Sequence, residues 1–393
     1  MNMTLQSLLL SRRGFLAGAC CAAAAPVLTP VTLAAAPGDN RFVTIVLRGA
    51  MDGLDLVQPY GDPAFAALRP KLALTPQTGL LDLDGFFGLN PAASALMPLW
   101  QAGELSFVHA VSTPYRDQRS HFDGQDMLET GGGDKAERTG WLNRALAAIP
   151  RSDARKAIDI NASRELILSG PSDVDSWSTQ SNFTLAEDEI AFLDRLYAGD
   201  EAFAKAMEEA KKTDMSADAL YGDAKRGAGI AQMAGLAGGM LREEYRIASF
   251  SINGWDTHVG QKAQFRKAVG DLSTAIVTLK ASLGDEAWGK TVVLAVTEFG
   301  RTARENGTGG TDHGTGGLAV LAGGAVPGGK VLGRWPGLGD DELLDRRDLM
   351  PTGDVREIAA AMLYRQFGID PDNLTGKVFP GLSFGKSSAY LKG

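Results

Sequence analysis

The chain is 393 residues long, 44% hydrophobic and 22% charged, with a net charge of −8 at pH 7. That length and apolar fraction suffice for a buried core without covalent staples, in one large domain or two modest ones. An acidic chain without a basic run is a poor candidate for binding nucleic acid or an anionic membrane surface.

The first element is a targeting segment. Arg12 and Arg13 precede a mildly apolar, alanine-rich run that ends in small residues near Ala34–Ala36. This reads as a twin-arginine export signal over residues 1–36. It makes the twin-arginine export machinery a partner and places the mature protein in the periplasm or outside the cell. A transmembrane anchor is the alternative, but the run is short and broken by Pro26 and Pro30, so no stable anchor is expected after cleavage. Both cysteines, Cys20 and Cys21, lie inside the signal. A lipid-modified cysteine calls for leucine three positions earlier, where Ala17 and Gly18 stand. The mature chain therefore has no disulfide, thiolate metal site or cysteine nucleophile. Removal of Arg12 and Arg13 with the signal takes the net charge from −8 to −10. Export in the folded state suits a protein that loads a metal beforehand.

Arg41–Leu47, RFVTIVL, is β-branched and ends in the turn RGAMDG, which predicts a central buried strand. PAASALMPLWQAGEL predicts a helix closed by Gly103, followed by the strand LSFVHAV. SHFDGQDMLETG predicts a short helix from Ser120 to Gly131, and WLNRALAAI another. KAIDI and SRELILSG are strand candidates. From Thr184 to about Glu244 the chain turns rich in Ala, Glu, Lys and Met at helical spacing, which predicts a helical insertion packed on the sheet or forming a cap. RIASFSI returns to strand, and QFRKAVGDLSTAIVTLKASLG is a long amphipathic helix. TVVLAVT and LAVLAGG are strands, and DVREIAAAMLYRQFG is a late helix. Strands apolar on both faces, alternating with helices, predict one α/β domain over residues 37–393 with a mainly parallel central sheet. There is no internal repeat, dinucleotide fingerprint or phosphate loop.

Ligands of open α/β sheets sit beyond the carboxyl ends of the strands. The polar residues that follow the strands are Arg48 and Asp52; Arg119, Ser120 and His121; Asn253, Asp256 and His258; and Thr297, Glu298 and Arg301. Asp312 and His313 precede the last strand, in the glycine-loaded loop TEFGRTARENGTGGTDHGTGG. All four histidines of the chain, His109, His121, His258 and His313, fall near strand ends or in these loops. Each has a second reading. His109 suits a hydrogen-bonded core position. Ser120, with Asp123 three residues on, suits a helix cap as well as a nucleophile. Asp256 and His258 suit an Asx-turn or a pair of metal ligands. Asp312 and His313 suit a solvated loop or a site. Arg301 and Arg304 suit surface charges or a clamp for an oxyanion.

The stretches FVTIVLRGAMDGLDLVQPYGD, RSHFDGQDMLETG, GWDTH, TEFGRT and GGTDHGTGG together resemble the exported bacterial family called domain of unknown function 1501. That family is a distant relative of the alkaline phosphatase and sulfatase superfamily. The resemblance implies an alkaline-phosphatase-like three-layer α/β sandwich, Asp and His ligands for one or two divalent ions, and a nucleophile at a helix start. On this resemblance WDTH gives Asp256 and His258, DHGTGG gives His313, and TEFG gives Glu298 where the superfamily has Asp and Phe299 where it has His. The aspartate expected after the first strand is replaced by Arg48, with Asp52 displaced along the turn. Ser120 fits the nucleophile's place, and STPYR (Ser112–Arg116) weakly matches a sulfatase pattern. Two functions follow. One is a hydrolase of phosphate or sulfate esters that uses zinc or manganese, with Ser120 attacking and Arg48, Arg119 or Arg301 facing the anionic oxygens. The other is a non-catalytic protein that binds an anionic small molecule, glycan or partner through a degenerate metal site.

Overall fold

The computed structural model describes residues 31–34, 38–116, 119–132, 137–150, 166–172, 174–177, 229–243, 245–385 and 390. The export signal up to residue 30, the strand candidate KAIDI, and the expected insertion up to residue 228 lie outside them. Nine strands form one sheet: β1 (Val31–Ala34), β2 (Arg41–Leu47), β3 (Leu105–Ser112), β4 (Asp175–Trp177), β5 (Ile247–Ile252), β6 (Thr291–Val296), β7 (Gly317–Ala322), β8 (Lys330–Leu332) and β9 (Gly353–Asp354). Their order is β8-β3-β7-β6-β2-β5-β1-β4, and β9 also pairs with β3. β1 comes from residues that the sequence assigns to the export signal, and it runs antiparallel to β5 and β4.

Helices cover both faces. Val43, Ile45 and Leu47 of β2 point to the face packed by α3 (Ile230–Arg242) and α4 (Gln261–Trp288), whereas Phe42 and Val46 point to that packed by α2 (Trp141–Ala148) and α5 (Val355–Phe367). This is the period-two alternation of a strand buried on both sides. α5 is capped at its start by the Asp354 side chain, which accepts from the Arg356 amide, and it ends at Gly368.

The sheet is mixed rather than mainly parallel. β2 is parallel to β5 and β6, and β8 and β9 are parallel to β3. β7, however, is antiparallel to both β3 and β6. It is buried along its whole length like its neighbours, so its composition reads the same in either direction. The reversal matters for the site: the chain enters β7 at the edge where β3, β5 and β6 end. A parallel β7 would have carried His313 to the opposite edge.

The described part of SRELILSG, residues 166–170, is not a strand. Leu166–Leu168 form a 3-10 turn, because side chains satisfy the backbone there. Glu129 accepts from the Ile167 amide at 3.0 Å, and Asn143 donates to the Leu168 carbonyl at 2.9 Å.

Candidate metal centre

Three connections meet at the sheet edge. After β3, the Tyr115 hydroxyl accepts from the Ser120 amide at 2.7 Å, and Arg119 takes a left-handed φ of 50°. Ser120 caps α1 (His121–Thr130), its hydroxyl accepting from the Asp123 amide at 3.4 Å. His121 is thereby fixed as the first residue of the helix. After β5, the buried Trp255 anchors the segment that carries Asp256 and His258. After β6 the glycine-loaded loop folds back on itself: the Thr302 amide donates to the Asp312 carbonyl at 2.9 Å, and the Gly314 amide to the Gly300 carbonyl at 2.8 Å. Two glycines make this approach possible. A Cβ on Gly300 would lie 1.9 Å from the Gly316 oxygen, and one on Gly310 would lie 2.3 Å from the Thr257 oxygen. The contact at Gly310 presses the loop against the Asp256–His258 segment and sets His313 beside His258.

Four donor groups converge there. His258 Nε2 lies 3.0 Å from His313 Nε2. Asp256 Oδ1 lies 3.1 Å from His258 Nε2 and 3.4 Å from His313 Nε2. Asp256 Oδ2 lies 3.6 Å from His121 Nε2. His121, Asp256 and His313 offer ligand atoms that all lie within 4.8 Å of one another. Ligands held about 2 Å from one ion in tetrahedral array stand roughly 3.3 Å apart, and the contacts above bracket that spacing.

The opposite nitrogen of each imidazole faces an acceptor. His121 Nδ1 is 2.7 Å from Glu298 Oε1, His258 Nδ1 is 3.2 Å from Asp312 Oδ1, and His313 Nδ1 is 3.0 Å from the Arg119 carbonyl. In the tautomer with the proton on each Nδ1, every Nδ1 donates to its oxygen and every neutral ring turns an Nε2 lone pair inward. His121 Nε2 is buried without a hydrogen-bond partner. Three lone pairs and a carboxylate that face one another repel, and a cation among them removes the repulsion. The donor set therefore fits a divalent ion.

Electrostatics keep the two carboxylates ionised. Burial opposes ionisation of Asp256, but the hydrogen bond and charge of Arg301 outweigh it and hold the carboxyl below its usual range. Burial likewise opposes ionisation of Glu298, and hydrogen bonds from His121 and Thr297 help to overcome it. The hydrogen bond to Glu298 raises His121, whereas burial lowers His313.

The structure brings Asp256, His258 and His313 together and adds His121, which the sequence places among the polar residues that follow the strands and does not name as a ligand. Other expected residues are engaged differently. Glu298, expected as a ligand, accepts instead from the Gly49 amide at 3.0 Å, from Thr297 Oγ1 at 2.8 Å and from His121. Asp52, also expected as a ligand, is buried in an ion pair with Arg69 at 2.7 Å and accepts from Gln261 Nε2 at 2.7 Å. Arg48 does not face a substrate site: it binds Glu129 at 2.7 Å, Ser251 at 2.8 Å and Gln125 at 3.0 Å. Arg301 is buried and donates to the Gly49, Ala50, Trp255 and Thr311 carbonyls and to Asp256 Oδ1 at 2.6 Å. It positions Asp256 and has no face left for an oxyanion. Arg119 remains exposed at the rim. Phe299 stacks on His121 at 5.2 Å and lies 5.1 Å from His313, so an apolar ring fills that flank of the cluster. His109 is a core histidine: its Nε2 is 2.8 Å from the Val57 carbonyl, it stacks on Phe87, and burial lowers it to about 4.

The role of Glu298 is testable. Glu298→Gln keeps the shape but removes the charge that strengthens His121 as a donor, so zinc affinity is expected to fall about 10- to 100-fold. Equilibrium dialysis that returned wild-type affinity would assign Glu298 a packing role only.

A family model described as a protein of unknown function, DUF1501, matches residues 106–387, a span that contains all four converging residues. No curated protein and no solved structure matches the chain.

Proposed function

The chain belongs to the DUF1501 family, and from that premise we propose that it is an exported, one-metal hydrolase of phosphate or sulfate esters built on an alkaline-phosphatase-like fold. The observation that carries the reading is the inward set of three Nε2 atoms and one carboxylate, each ring backed by an acceptor. Mixed imidazole and carboxylate donors suit zinc or manganese better than calcium, whose ligands are oxygens. A bound ion of this kind polarises an ester oxygen and lowers the pKa of a hydroxyl or water.

The protein's own groups supply the rest. Arg301 orients Asp256, while Glu298, Asp312 and the Arg119 carbonyl fix the three rings. The Arg119 side chain is exposed, and in this reading it pairs with anionic ester oxygens. Ser120 stands at the start of α1, where the helix amides favour negative charge, and it is the nucleophile in this reading. Its hydroxyl accepts from the Asp123 amide and keeps its own proton for transfer. The alkaline-phosphatase relationship is an analogy of fold and motif, and the site chemistry bears the argument.

A second reading, a non-catalytic protein that binds an anion at this centre, is favoured by the internal engagement of Arg48 and Arg301. Aryl phosphate and aryl sulfate esters separate the two. The hydrolase reading expects turnover by metal-loaded protein that stops on chelation and returns with zinc or manganese. Metal retention with anion binding but no turnover would support the second reading.

Export through the twin-arginine route belongs to the same proposal. Replacement of Arg12 and Arg13 by lysine is expected to leave the precursor in the cytoplasm. Processing of that variant at the wild-type rate would refute the route.

A further inference from the structure

Among the described residues, the large hydrophobic side chains left exposed are Phe122 at 85%, Val259 at 60% and Val277 at 40%. Val277 lies well along α4, about 24 Å from its start at 1.5 Å per residue. The other two are not scattered. Phe122 directly follows the donor His121, and Val259 directly follows the donor His258. The rings of His121 and His258 both pack against His313, with centroids 4.3 and 4.6 Å from it. Phe122 and Val259 are therefore each one residue along the chain from a donor of one cluster. A single exposed apolar side chain needs no explanation. Two that each adjoin a donor of the same centre form an apolar margin to it. Arg119, also exposed, precedes Phe122 by three residues in the chain.

We infer that the substrate is an ester with an apolar, aryl or alkyl, group beside its anionic head, and that Phe122 and Val259 are specificity-determining residues that cover this group. The inference rests on the metal-centred ester reading above. The anionic head lies at the metal centre beside Arg119, and the apolar group removes Phe122 and Val259 from water. A wholly polar ester, such as that of a sugar, would leave both side chains wet and gain nothing from them.

Phenylphosphonate and methylphosphonate, which carry the same head and are not hydrolysed, test this by calorimetry on zinc-loaded protein. Phenylphosphonate is expected to bind about 10-fold tighter, the scale of one partly buried aromatic contact. The double variant Phe122→Ala, Val259→Ser is expected to bring the two ligands to parity while methylphosphonate affinity stays unchanged. Both positions are exposed, so the fold is retained. Equal binding of both ligands by the wild type overturns the inference and leaves the metal centre standing, as does a preference that survives in the double variant. Flotation with lipid vesicles that depends on Phe122, without a phenyl preference, also overturns it and assigns the margin to a membrane. Zinc retention without binding of either phosphonate, or no zinc retention at all, defeats the ester reading and this inference together.

Discussion

Replacement of His313 with alanine is expected to strip the divalent ion from the protein, weakening retention at least about 100-fold. His313 Nε2 has the shortest donor-to-donor contact, 3.0 Å to His258, and its Nδ1 ties the glycine-loaded loop to the Arg119 carbonyl. Its loss removes a ligand and that tie at once. The fold is expected to survive, because the loop lies outside the two clusters that pack the faces of the sheet. Equilibrium dialysis against zinc, with circular dichroism as the folding control, measures both. Acid acts in the same sense, since a proton on Nε2 displaces the ion. The hydrogen bond to Glu298 raises His121, which favours its protonation as pH falls. Retention is expected to be full at about pH 8 and lost below about 6, near the ordinary histidine value. Retention of zinc by His313→Ala with wild-type affinity would remove His313 from the centre.

Arg69→Met is expected to cost about 3–5 kcal/mol of stability, the scale of a broken buried ion pair. The guanidinium is fully buried and donates to Asp52 at 2.7 Å and to the Thr302 and Ala303 carbonyls at 2.8 and 2.9 Å. Methionine fills much of the volume but leaves those acceptors without donors. Asp52 Oδ1 already lacks a partner. Asp55 lies close by, and burial and then the charge of Asp52 push its carboxyl up to about 6. A raised folded-state value contributes stability that is present below the ordinary carboxylate range and is lost as pH rises through about 6. The deficit of the variant is therefore expected to shrink between about pH 7 and 5, as protonation relieves the buried charge. Urea titration at the two pH values measures it, and a deficit that grew on acidification would contradict the assignment.

The core elements were legible because their patterns are long. β2, β5 and β6 are six- or seven-residue runs buried throughout, and α4 carries helical spacing as far as Gly284, where a left-handed φ kinks it. The three-residue strands β4 and β8 and the two-residue β9 are too short for any periodicity to show. The direction of β7 was hidden because burial on both faces is independent of strand sense. At the site, Asp256, His258 and His313 could be read from residue type and spacing among glycines. His121 could not, because it follows a serine that reads as a helix cap and carries no second ligand type beside it. The partners of Glu298 and Arg301 lie across the fold: His121 is 177 residues from Glu298 and Asp256 is 45 from Arg301. No local pattern announces contacts at such separations.

The central claim is that one ion sits among His121, Asp256, His258 and His313. Anomalous diffraction at the zinc edge from crystals of the zinc-loaded protein tests it most directly. The account predicts a single peak in each chain, about 2 Å from the three Nε2 atoms and from an Asp256 oxygen. An empty centre under zinc excess, or a zinc bound directly by Glu298 on the Phe299 side, would contradict it.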